Sequence, residues 1–400
     1  MNISSIKDCF GCGVCAASCN RKIIDIRVNA SGFYEPVITS PQLCTDCGIC
    51  VDVCAFSHDD YALKNQTVNA YGAWSKEHAV RRKCSSGGVG FEAGRYLLEQ
   101  GFKVVGCRYD AEAGRAEHYI SSTVEELIQS IGSKYIQSYT ADAFKAINRK
   151  EKYLVVGTPC QIDSFRRYIQ KFRCEDNFVL MDFFCHAVPS MLAWNQYTAI
   201  AKQKVGKLTY VSWRNKQTGW HDSWAMAIDG DEHGEKVNWH DSYNMLIREK
   251  KSYVYSLRSQ GDIFYKFFLG SFCNNPACEK NCRFKYDKSS ADIRIGDAWG
   301  KTYKKDEDGV SAVIAFTEKG NDILKSCHVI LEDRKFETVA EGQMKSNAKP
   351  AILAPVVMSM LKSGKQYYER DWNRLFALER LLQLPNRLKR KIGKYLAKKK

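Results

Sequence analysis

The chain of 400 residues is 44% apolar and 26% charged, a composition typical of a folded globular protein and unlike that of a disordered one. Its formal net charge of +15 is uneven, because residues 386–400 hold eight Lys or Arg and no acid. The remainder carries no motif typical of RNA- or DNA-binding proteins, so we expect no nucleic-acid partner. The sequence has neither a signal-peptide pattern nor an apolar stretch long enough to cross a bilayer, which predicts a cytoplasmic protein.

Residues 1–66 are predicted to form a separate, cysteine-rich domain. Of the seventeen cysteines, eight lie before residue 55, in two runs with the pattern C-x2-C-x2-C-x3-C. In a reducing cytosol, thiols this close together favour metal binding over disulfides. The spacing is that of the bacterial ferredoxin run, in which three cysteines bind one four-iron cluster and the fourth binds a second cluster.

The two runs therefore predict two 4Fe-4S clusters that exchange their fourth ligands. The ligands of the first cluster would be Cys9, Cys12, Cys15 and Cys54. The ligands of the second would be Cys44, Cys47, Cys50 and Cys19. Structural zinc is the alternative, but zinc sites prefer paired C-x2-C knuckles far apart in the sequence. Between the runs, residues 23–38 predict two short strands around a turn at Ser31-Gly32.

Residues 67–345 are predicted to form an α/β domain with a mostly parallel sheet. Short apolar runs at 102–109, 152–160 and 177–185 are typical of buried strands, and helical patterns lie between and after them. We therefore expect an α+β ferredoxin-like two-cluster head, then this α/β domain, and then a helical C-terminal tail.

The last segment, residues 346–400, is predicted to be helical and to end in a basic amphipathic tail. Its apolar positions fall on one helical face and are Leu388, Ile392, Tyr395 and Leu396. Such a tail suits peripheral contact with an anionic membrane at the inner face. A solvated, frayed helix is an equal alternative.

A second group of cysteines lies in the α/β domain. Cys160 and Cys185 each follow a predicted strand, so both should lie at one edge of the sheet, and a helix start at Cys160 favours the thiolate. Residues 272–300 add Cys273, Cys278 and Cys282 in a polar segment. We predict a third 4Fe-4S cluster on Cys160, Cys185, Cys278 and Cys282, with Cys273 in reserve. Buried structural cysteines, or a nucleophilic thiol at Cys160, are the alternatives.

Residues 83–100 form a Ser/Gly turn that runs into a predicted helix. Backbone N–H groups in such a turn can bind phosphate, assisted by the helix dipole. Gly88, Gly90 and Ala93 match G-x-G-x-x-A, but no strand precedes them, so we reject a Rossmann site. The alternative to an anion site is a glycine-rich helix start without a ligand.

Six motifs in order resemble the coenzyme F420 hydrogenase/dehydrogenase beta-subunit family, in the bacterial form with a fused two-cluster ferredoxin. The motifs are "SSGG" (85–88), "GTPCQI" (157–162), "FFCHAVPS" (183–190), "TGW" (218–220), "CRFKYDKSSADIRIGDAWG" (282–300) and "SAVIAFTEKG" (311–320). The resemblance implies an iron–sulfur flavoprotein with FAD in the α/β domain, a nearby cluster, and hydride exchange with a small molecule.

By position, the resemblance also implies the residues that would face the flavin. These are Ser85, Ser86, Gly87, Gly88, Thr158, Gln161 and Asp297. The usual C-x2-C before "FK" is here C-x3-C, from Cys278 to Cys282.

The substrate itself is not specified by these motifs. Residues 212–228, with Arg214, Lys216, Trp220 and His221, are predicted to form the substrate loop, and the alternative is an exposed β-hairpin. His186 is a candidate proton donor, although a histidine beside a metal ligand more often supports that ligand.

We therefore predict an oxidoreductase that passes electrons between its clusters, FAD and a small organic acceptor. The resemblance also suggests a role in surface-polysaccharide metabolism, because some relatives occur beside genes of that metabolism. The rival is an electron-transfer subunit without a substrate of its own, which serves a partner enzyme or an external ferredoxin.

Overall fold

A computed structural model describes residues 1–6, 9–236 and 250–385. The strands are β1 (Ile24–Val28), β2 (Tyr34–Ile38), β3 (Asn69–Ser75), β4 (Lys103–Asp110), β5 (Arg115–Ser121), β6 (Ser138–Tyr139), β7 (Tyr153–Val156), β8 (Phe178–Phe183), β9 (Leu208–Ser212), β10 (Ala225–Gly230), β11 (Val254–Leu257), β12 (Ile293–Asp297), β13 (Ser311–Ala315) and β14 (Val329–Asp333). The predicted apolar face of the tail, at Leu388, Ile392, Tyr395 and Leu396, lies outside the described residues.

Helices occupy much of the remaining described chain. The α-helices are α1 (Val14–Ser18), α2 (Ile49–Asp52), α3 (His78–Lys83), α4 (Val89–Glu99), α5 (Val124–Ile128), α6 (Ala141–Ala146), α7 (Pro159–Lys171), α8 (Met191–Val205), α9 (Ile263–Leu269), α10 (Pro276–Lys280), α11 (Glu318–Ser326), α12 (Phe336–Val339), α13 (Ala354–Lys362) and α14 (Glu369–Leu382). Short 3-10 helices span Ile3–Ser5, Pro41–Leu43, Ala55–Ser57 and Glu175–Asn177.

The predicted hairpin between the two cysteine runs is confirmed. Strands β1 and β2 pair antiparallel from Ile24 opposite Ile38 to Val28 opposite Tyr34. The turn needs glycine at Gly32, where φ is +79° and an added Cβ would lie 2.3 Å from the hydroxyl of Ser190. The hairpin thus packs directly onto the start of α8.

A nine-stranded sheet forms the centre of the α/β domain, in the order β14-β3-β13-β12-β8-β7-β4-β5-β6. Parallel pairing is limited to β12–β8, β8–β7, β7–β4 and β5–β6, and the other four pairs are antiparallel. The prediction of a mostly parallel sheet is therefore wrong. Apolar runs indicate which segments are buried strands, but the direction of a strand depends on which partner it finds across the chain.

Helices cover both faces of this sheet. Along β7 and β8, Leu154 and Val179 pack with α4 and α11, whereas Val155 and Leu180 pack with α6 and α7 on the opposite face. This alternation follows the two-residue period of a strand, and it buries the central strands completely. The polar ends of the strands are therefore left for a site at the sheet edge.

A second, three-stranded antiparallel sheet has the order β11-β10-β9. It shares an aromatic core with α8, α9 and the two C-terminal helices, in which Trp194, Trp213, Phe264 and Trp372 are buried. Trp372 packs 4.9 Å from the ring of Phe267, which fixes α14 to the rest of the protein. The segment between β9 and β10 leaves this sheet and reaches the main one.

Candidate functional site

The first thiol group of the head is enclosed. Cys9, Cys12, Cys15 and Cys54 line one cavity together with Phe10, Phe56 and Ser164. Gly13 starts α1 with φ of +75°, and a Cβ there would lie 2.1 Å from the Thr140 hydroxyl, which itself donates to the Cys12 carbonyl at 2.8 Å. The cysteine loop thus lies against the α/β domain without room for a side chain.

The electrostatics of this cavity suit a cationic centre. Burial, with a smaller contribution from neighbouring thiols, raises the pKa of Cys9 to about 12 and that of Cys12 to about 11. Burial and the thiols of Cys12, Cys9 and Cys54 also raise the pKa of Cys15 well above its usual value. A metal centre would supply the missing positive charge and displace the thiol protons. The four thiols therefore fit an iron–sulfur cluster.

The second thiol group lies nearer the surface. Gly48 starts α2 with φ of +76°, as Gly13 does for α1, and has no atom within 4 Å of an added Cβ. The pKa of Cys50 is raised by burial and then by Cys19 and Cys47, and Cys47 is exposed. Cys19 of the first run therefore lies with the second run, as the exchange of fourth ligands requires.

Three distant segments bring the thiols of the α/β domain together. Cys160 is the second residue of α7, Cys185 follows β8, and Cys278 lies in α10. The N–H of Asn275 donates to the Val188 carbonyl at 2.9 Å, which fixes α10 beside the segment after β8. We call Cys160, Cys185, Cys278 and Cys282 the rim thiols.

The rim thiols interact with one another. Burial raises the pKa of Cys160 well above its usual value, and Cys278, Cys185 and Cys282 each raise it further. Burial likewise raises the pKa of Cys185 to about 11, against the effect of Lys285, which lowers it. Among the described residues, no three or more His, Cys, Asp or Glu side chains are placed to hold a single metal ion. The thiols of a four-iron cluster bind different iron atoms and surround a wider space.

Cys273 stands apart from the rim thiols. Its side chain is buried in the aromatic core around Trp194 and Phe272, and its carbonyl accepts the N–H of Ser190 at 2.8 Å. The sequence could not separate Cys273 from Cys278, since both lie in the same polar segment. The position of Cys273 therefore favours a structural role over that of reserve ligand.

The rim thiols and the enclosed head group share contacts that the sequence did not reveal. Ser164, one turn after Cys160 in α7, accepts the N–H of Ala55 at 3.0 Å and donates to Cys12, which lowers the pKa of that thiol against the larger effect of burial. Asn275, before α10, donates to the Cys9 carbonyl at 3.1 Å. The elements that carry Cys160 and Cys278 therefore also hold the first head loop.

Arg283, next to Cys282, adds a third contact of this kind. Its guanidinium donates to the carbonyls of Ala55 and His58, beside Cys54. Aromatic residues fill the space between the two groups, where Phe10, Phe284 and Cys278 belong to one buried cluster. The sequence gives one sign of these contacts, because Ser164 lies four residues after the predicted ligand Cys160 on the same predicted helix.

The "SSGG" turn and Asp297 are joined by a buried arginine. Arg214 makes a bidentate ion pair with Asp297, at 3.0 and 3.1 Å, and donates to the Ser85 carbonyl at 2.9 Å. The Ser86 hydroxyl donates to the carbonyl of Val310 at 2.7 Å. The turn and the carboxyl end of β12 thus form one unit.

The predicted substrate loop connects β9 to β10, which pair antiparallel as in the alternative of a hairpin, but the loop is packed and not exposed. Lys216 donates to the carbonyls of Ser86 and Asp308, at 2.5 Å each, and burial lowers its pKa to about 7. Trp220 is fully buried, stacks on Trp299 with ring centroids 4.8 Å apart, and donates to Asp297 at 2.9 Å. The segment therefore closes over the turn with its cations inside.

His221 lies further out, where it contacts Glu307 at 3.2 Å. The aromatic lining beside Arg214 also includes Tyr135, which stacks on Trp224 with centroids 4.7 Å apart. Neither Tyr135 nor Trp299 is among the predicted site residues. Tyr135 lies in no motif and is distant in sequence, whereas Trp299 is two residues after Asp297 in "GDAWG", so that motif was the signal that could have found it.

Thr158 and Gln161 lie at the carboxyl end of β7, two strands from β12. They form a capping box at the start of α7, in which the Thr158 N–H donates to the Gln161 side chain at 2.8 Å. The Thr158 hydroxyl also lies 3.2 Å from the Cys160 sulfur. Their local role is thus to set the position of Cys160, at the same sheet edge as the "SSGG" turn.

Gly87 and Gly88 shape that turn. A Cβ on Gly87 would lie 2.2 Å from the Ala73 carbonyl, and Gly88 begins α4 with φ of +88°. The N–H groups at the very start of a helix such as α4 lack intrahelical acceptors, and the buried amino group of Lys216 lies beside the turn. This combination suits a phosphate-bearing cofactor such as FAD.

His186 has little support as a proton donor. Burial, with a smaller contribution from Lys285, lowers its pKa to about 4, so the ring is neutral near pH 7. Its ring packs edge-on against Phe268, with centroids 5.0 Å apart. Lys285 donates to the carbonyls of Cys185 and His186 at 2.8 and 2.6 Å, which fixes this loop beside the rim thiols.

Comparison with known proteins relates both the head thiols and the rim thiols to known families. Residues 8–57 match a 4Fe-4S dicluster domain. Residues 70–145 and 150–340 match the N-terminal and C-terminal parts of the coenzyme F420 hydrogenase/dehydrogenase beta subunit. The fold and its thiol groups thus define an iron–sulfur protein of the oxidoreductase class. The chain belongs to the coenzyme F420 hydrogenase/dehydrogenase beta-subunit family, which confirms the resemblance and the two-cluster head predicted from the sequence.

Two individual proteins are similar to the chain. Coenzyme F420 hydrogenase subunit beta of Methanococcus voltae is 32% identical over 124 residues, which are 29% of this chain and 44% of that protein. A chain of the xenon-derivatised F420-reducing NiFe hydrogenase complex of Methanosarcina barkeri is 18% identical, with a TM-score of 0.43 over 76% of this chain and 91% of that one. The chain thus matches less than half the length of the Methanococcus voltae protein.

Proposed function

We propose that the protein is an iron–sulfur flavoprotein oxidoreductase that passes electrons between a surface donor and a small organic acceptor. Cys9, Cys12, Cys15 and Cys54 would hold one 4Fe-4S cluster, and Cys19, Cys44, Cys47 and Cys50 the second. The rim thiols would hold a third, and the "SSGG" turn with Asp297 would bind FAD. The observation that carries the proposal is that the segments carrying the rim thiols contact the enclosed head group, through Ser164, Asn275 and Arg283, and also lie at the edge of the main sheet.

The contacts suggest an order for the sites. Cys47 is exposed, so the second head group is the one that an external ferredoxin or partner enzyme can approach. The first head group is enclosed, and Ser164, Asn275 and Arg283 connect its loop to the elements that carry the rim thiols. Ser164 lies four residues after Cys160, a rise of about 6 Å along α7. Electrons would therefore pass from the second head group to the first, and then to the rim.

A flavin is the cofactor that chemistry requires at the end of this path, because clusters exchange single electrons whereas organic substrates usually take two. Lys216 would hold the "SSGG" turn in place, and Arg214 would hold Asp297 beside it. Trp220, stacked on Trp299 above this unit, would exclude water from it. Thr158 and Gln161 would keep the Cys160 thiol at the same edge.

A second candidate is an electron-transfer subunit that serves a partner enzyme. It is favoured by the similarity to a protein named as a hydrogenase subunit. The acceptor, which could be a deazaflavin coenzyme or an intermediate of surface-polysaccharide metabolism, would then belong to the partner.

Location is part of the proposal. None of the helices that the structure describes is both long and apolar enough to cross a membrane. We place the protein in the cytoplasm, where thiols stay reduced, with its basic tail at the inner face of the membrane.

The test uses protein purified without oxygen. Three clusters and one flavin predict about twelve irons and one extractable flavin per chain. When reduced ferredoxin is mixed with the wild type, the flavin should be reduced, and the Cys160→Ser variant should keep its flavin but reduce it far more slowly. Flavin-free wild-type protein would overturn the proposal. Turnover of a small acceptor only after a partner protein is added would favour the second candidate.

A further inference from the structure

The last helix that the structure describes, α14, carries exposed apolar side chains on its outer face, where a surface helix usually carries polar ones. In α14, Trp372 and Phe376 are buried against the aromatic core. On the other side, Leu378 and Leu381 are 45% and 61% exposed, and both precede Leu384, which is 47% exposed. A helix that only covered the core would carry polar residues at these positions.

Neighbouring residues extend this apolar surface. Glu379 accepts the N–H groups of Ile352 and Leu353 at 3.0 and 2.9 Å, which places the start of α13 beside the last turns of α14. The C-terminal apolar face is defined here as Ile352, Val356, Leu378, Leu381, Leu382 and Leu384. These are six of the twelve large hydrophobic side chains that are exposed among the described residues. Single exposed hydrophobics are ordinary, whereas half of them in one place indicate a contact surface.

The charge around this face identifies its partner. Arg374 shares a helical face with Leu378 and Leu381, at the spacing i, i+4 and i+7. Residues 346–400 carry fourteen Lys or Arg and three Asp or Glu, a net charge of +11 out of +15 for the chain. Exposed leucines beside excess cations match the interfacial region of an anionic bilayer. Two copies of the same face would repel each other.

We propose that the C-terminal apolar face docks on an anionic phospholipid surface. The proposal rests on the membrane location given under the proposed function and adds the folded surface that enters the lipid. The leucines would lie at the level of the acyl chains, and Arg374 and Arg370 at the level of the phosphates. The second head group would then remain free for its electron donor.

The test is flotation of the full-length holoprotein with vesicles of phosphatidylcholine alone or with one quarter phosphatidylserine. The wild type should float with the anionic vesicles and not with the neutral ones, and salt should weaken the binding. Leu378→Ser with Leu381→Ser should reduce binding by at least tenfold. The control pair, Val28→Ser with Ile330→Ser, removes exposed side chains elsewhere and should bind as the wild type does.

Three outcomes would overturn the proposal. The wild type could fail to float with anionic vesicles, the leucine pair could bind as tightly as the wild type, or light scattering could detect a dimer that only the leucine pair abolishes. Iron and flavin contents of each variant keep the two proposals separate. Full cofactor content without flotation removes the membrane site alone, and missing flavin removes the redox function alone.

Discussion

The head thiols and the rim thiols differ in how the chain brings them together. In the head, Cys9, Cys12 and Cys15 lie within seven residues of one another, and the loop that joins them contains Gly13 in the left-handed conformation. The rim thiols come from α7, from the segment after β8, and from α10 and the residues that follow it, and they are spread from residue 160 to residue 282. Each head group thus takes three thiols from one short loop and a fourth from the other run, whereas the rim group exists only when the main sheet has formed.

The largest expected effect separates the two kinds of site by iron content. Cys160→Ser or Cys278→Ser should lower the iron from about twelve to about eight per chain, because a four-iron cluster is lost while the head clusters remain. Cys273→Ser is the matched control, and it should keep about twelve, since its thiol lies in the aromatic core. Iron analysis and Mössbauer spectroscopy measure the iron bound by each variant and by the control. About eight irons per chain in the wild type would show that the rim thiols hold no cluster.

The second-largest effect tests how much the stability of the α/β domain depends on the buried ion pair between Arg214 and Asp297. Arg214→Leu leaves Asp297 without its partner, and loss of one member of a buried ion pair costs about 3–5 kcal/mol. The thermal midpoint should fall by several degrees and flavin should be lost. Arg27→Leu removes an exposed pair with Asp25 in the head, worth about 1 kcal/mol or less. Equal midpoints for the two variants would contradict a structural role for Arg214.

The third-largest effect is a loss of folding stability at low pH. Burial lowers the pKa of His118, in β5, to about 4, from the usual 6.5. As the pH falls from about 6.5 towards 4, the unfolded chain takes up a proton that the folded chain does not, so stability is lost over this range. At pH 4.5 the loss is about 2–3 kcal/mol. Urea midpoints at pH 7 and pH 4.5 should differ more for the wild type than for His118→Gln, and identical differences would exclude this contribution.

The smallest expected effect is at Ser164, where α7 contacts the first head group. Ser164→Ala removes a hydroxyl that donates to Cys12, and hydrogen bonds to cluster sulfurs raise the reduction potential. A hydrogen bond of about 0.5–1.5 kcal/mol corresponds to a fall of roughly 20–60 mV in one head cluster. Ser18→Ala is the control, since that hydroxyl donates to the Cys15 carbonyl and not to a sulfur. Redox titration followed by EPR measures both, and an unchanged potential in Ser164→Ala would show that the hydroxyl does not tune the cluster.

Several features of the candidate site could be predicted from the sequence because they are local. The ferredoxin spacing, the hairpin around Ser31-Gly32 and the helix start at Cys160 each depend on a few neighbouring residues. The pairing of Arg214 with Asp297 could not be predicted, because 83 residues separate them and either could have faced solvent. Likewise, nothing near Cys273 distinguishes it from Cys278 until both are packed.

By itself, the sequence determined the grouping of the eight head cysteines, the positions of the three buried strands β4, β7 and β8, and the membership of the family. Only the tertiary structure decided the mixed direction of the sheet, the burial of Lys216 and Trp220, and the meeting of the rim thiols beside the first head group. The physical reason is the range of the interactions. Short spacings constrain a loop directly, whereas pairing between distant strands depends on how the whole chain closes its core.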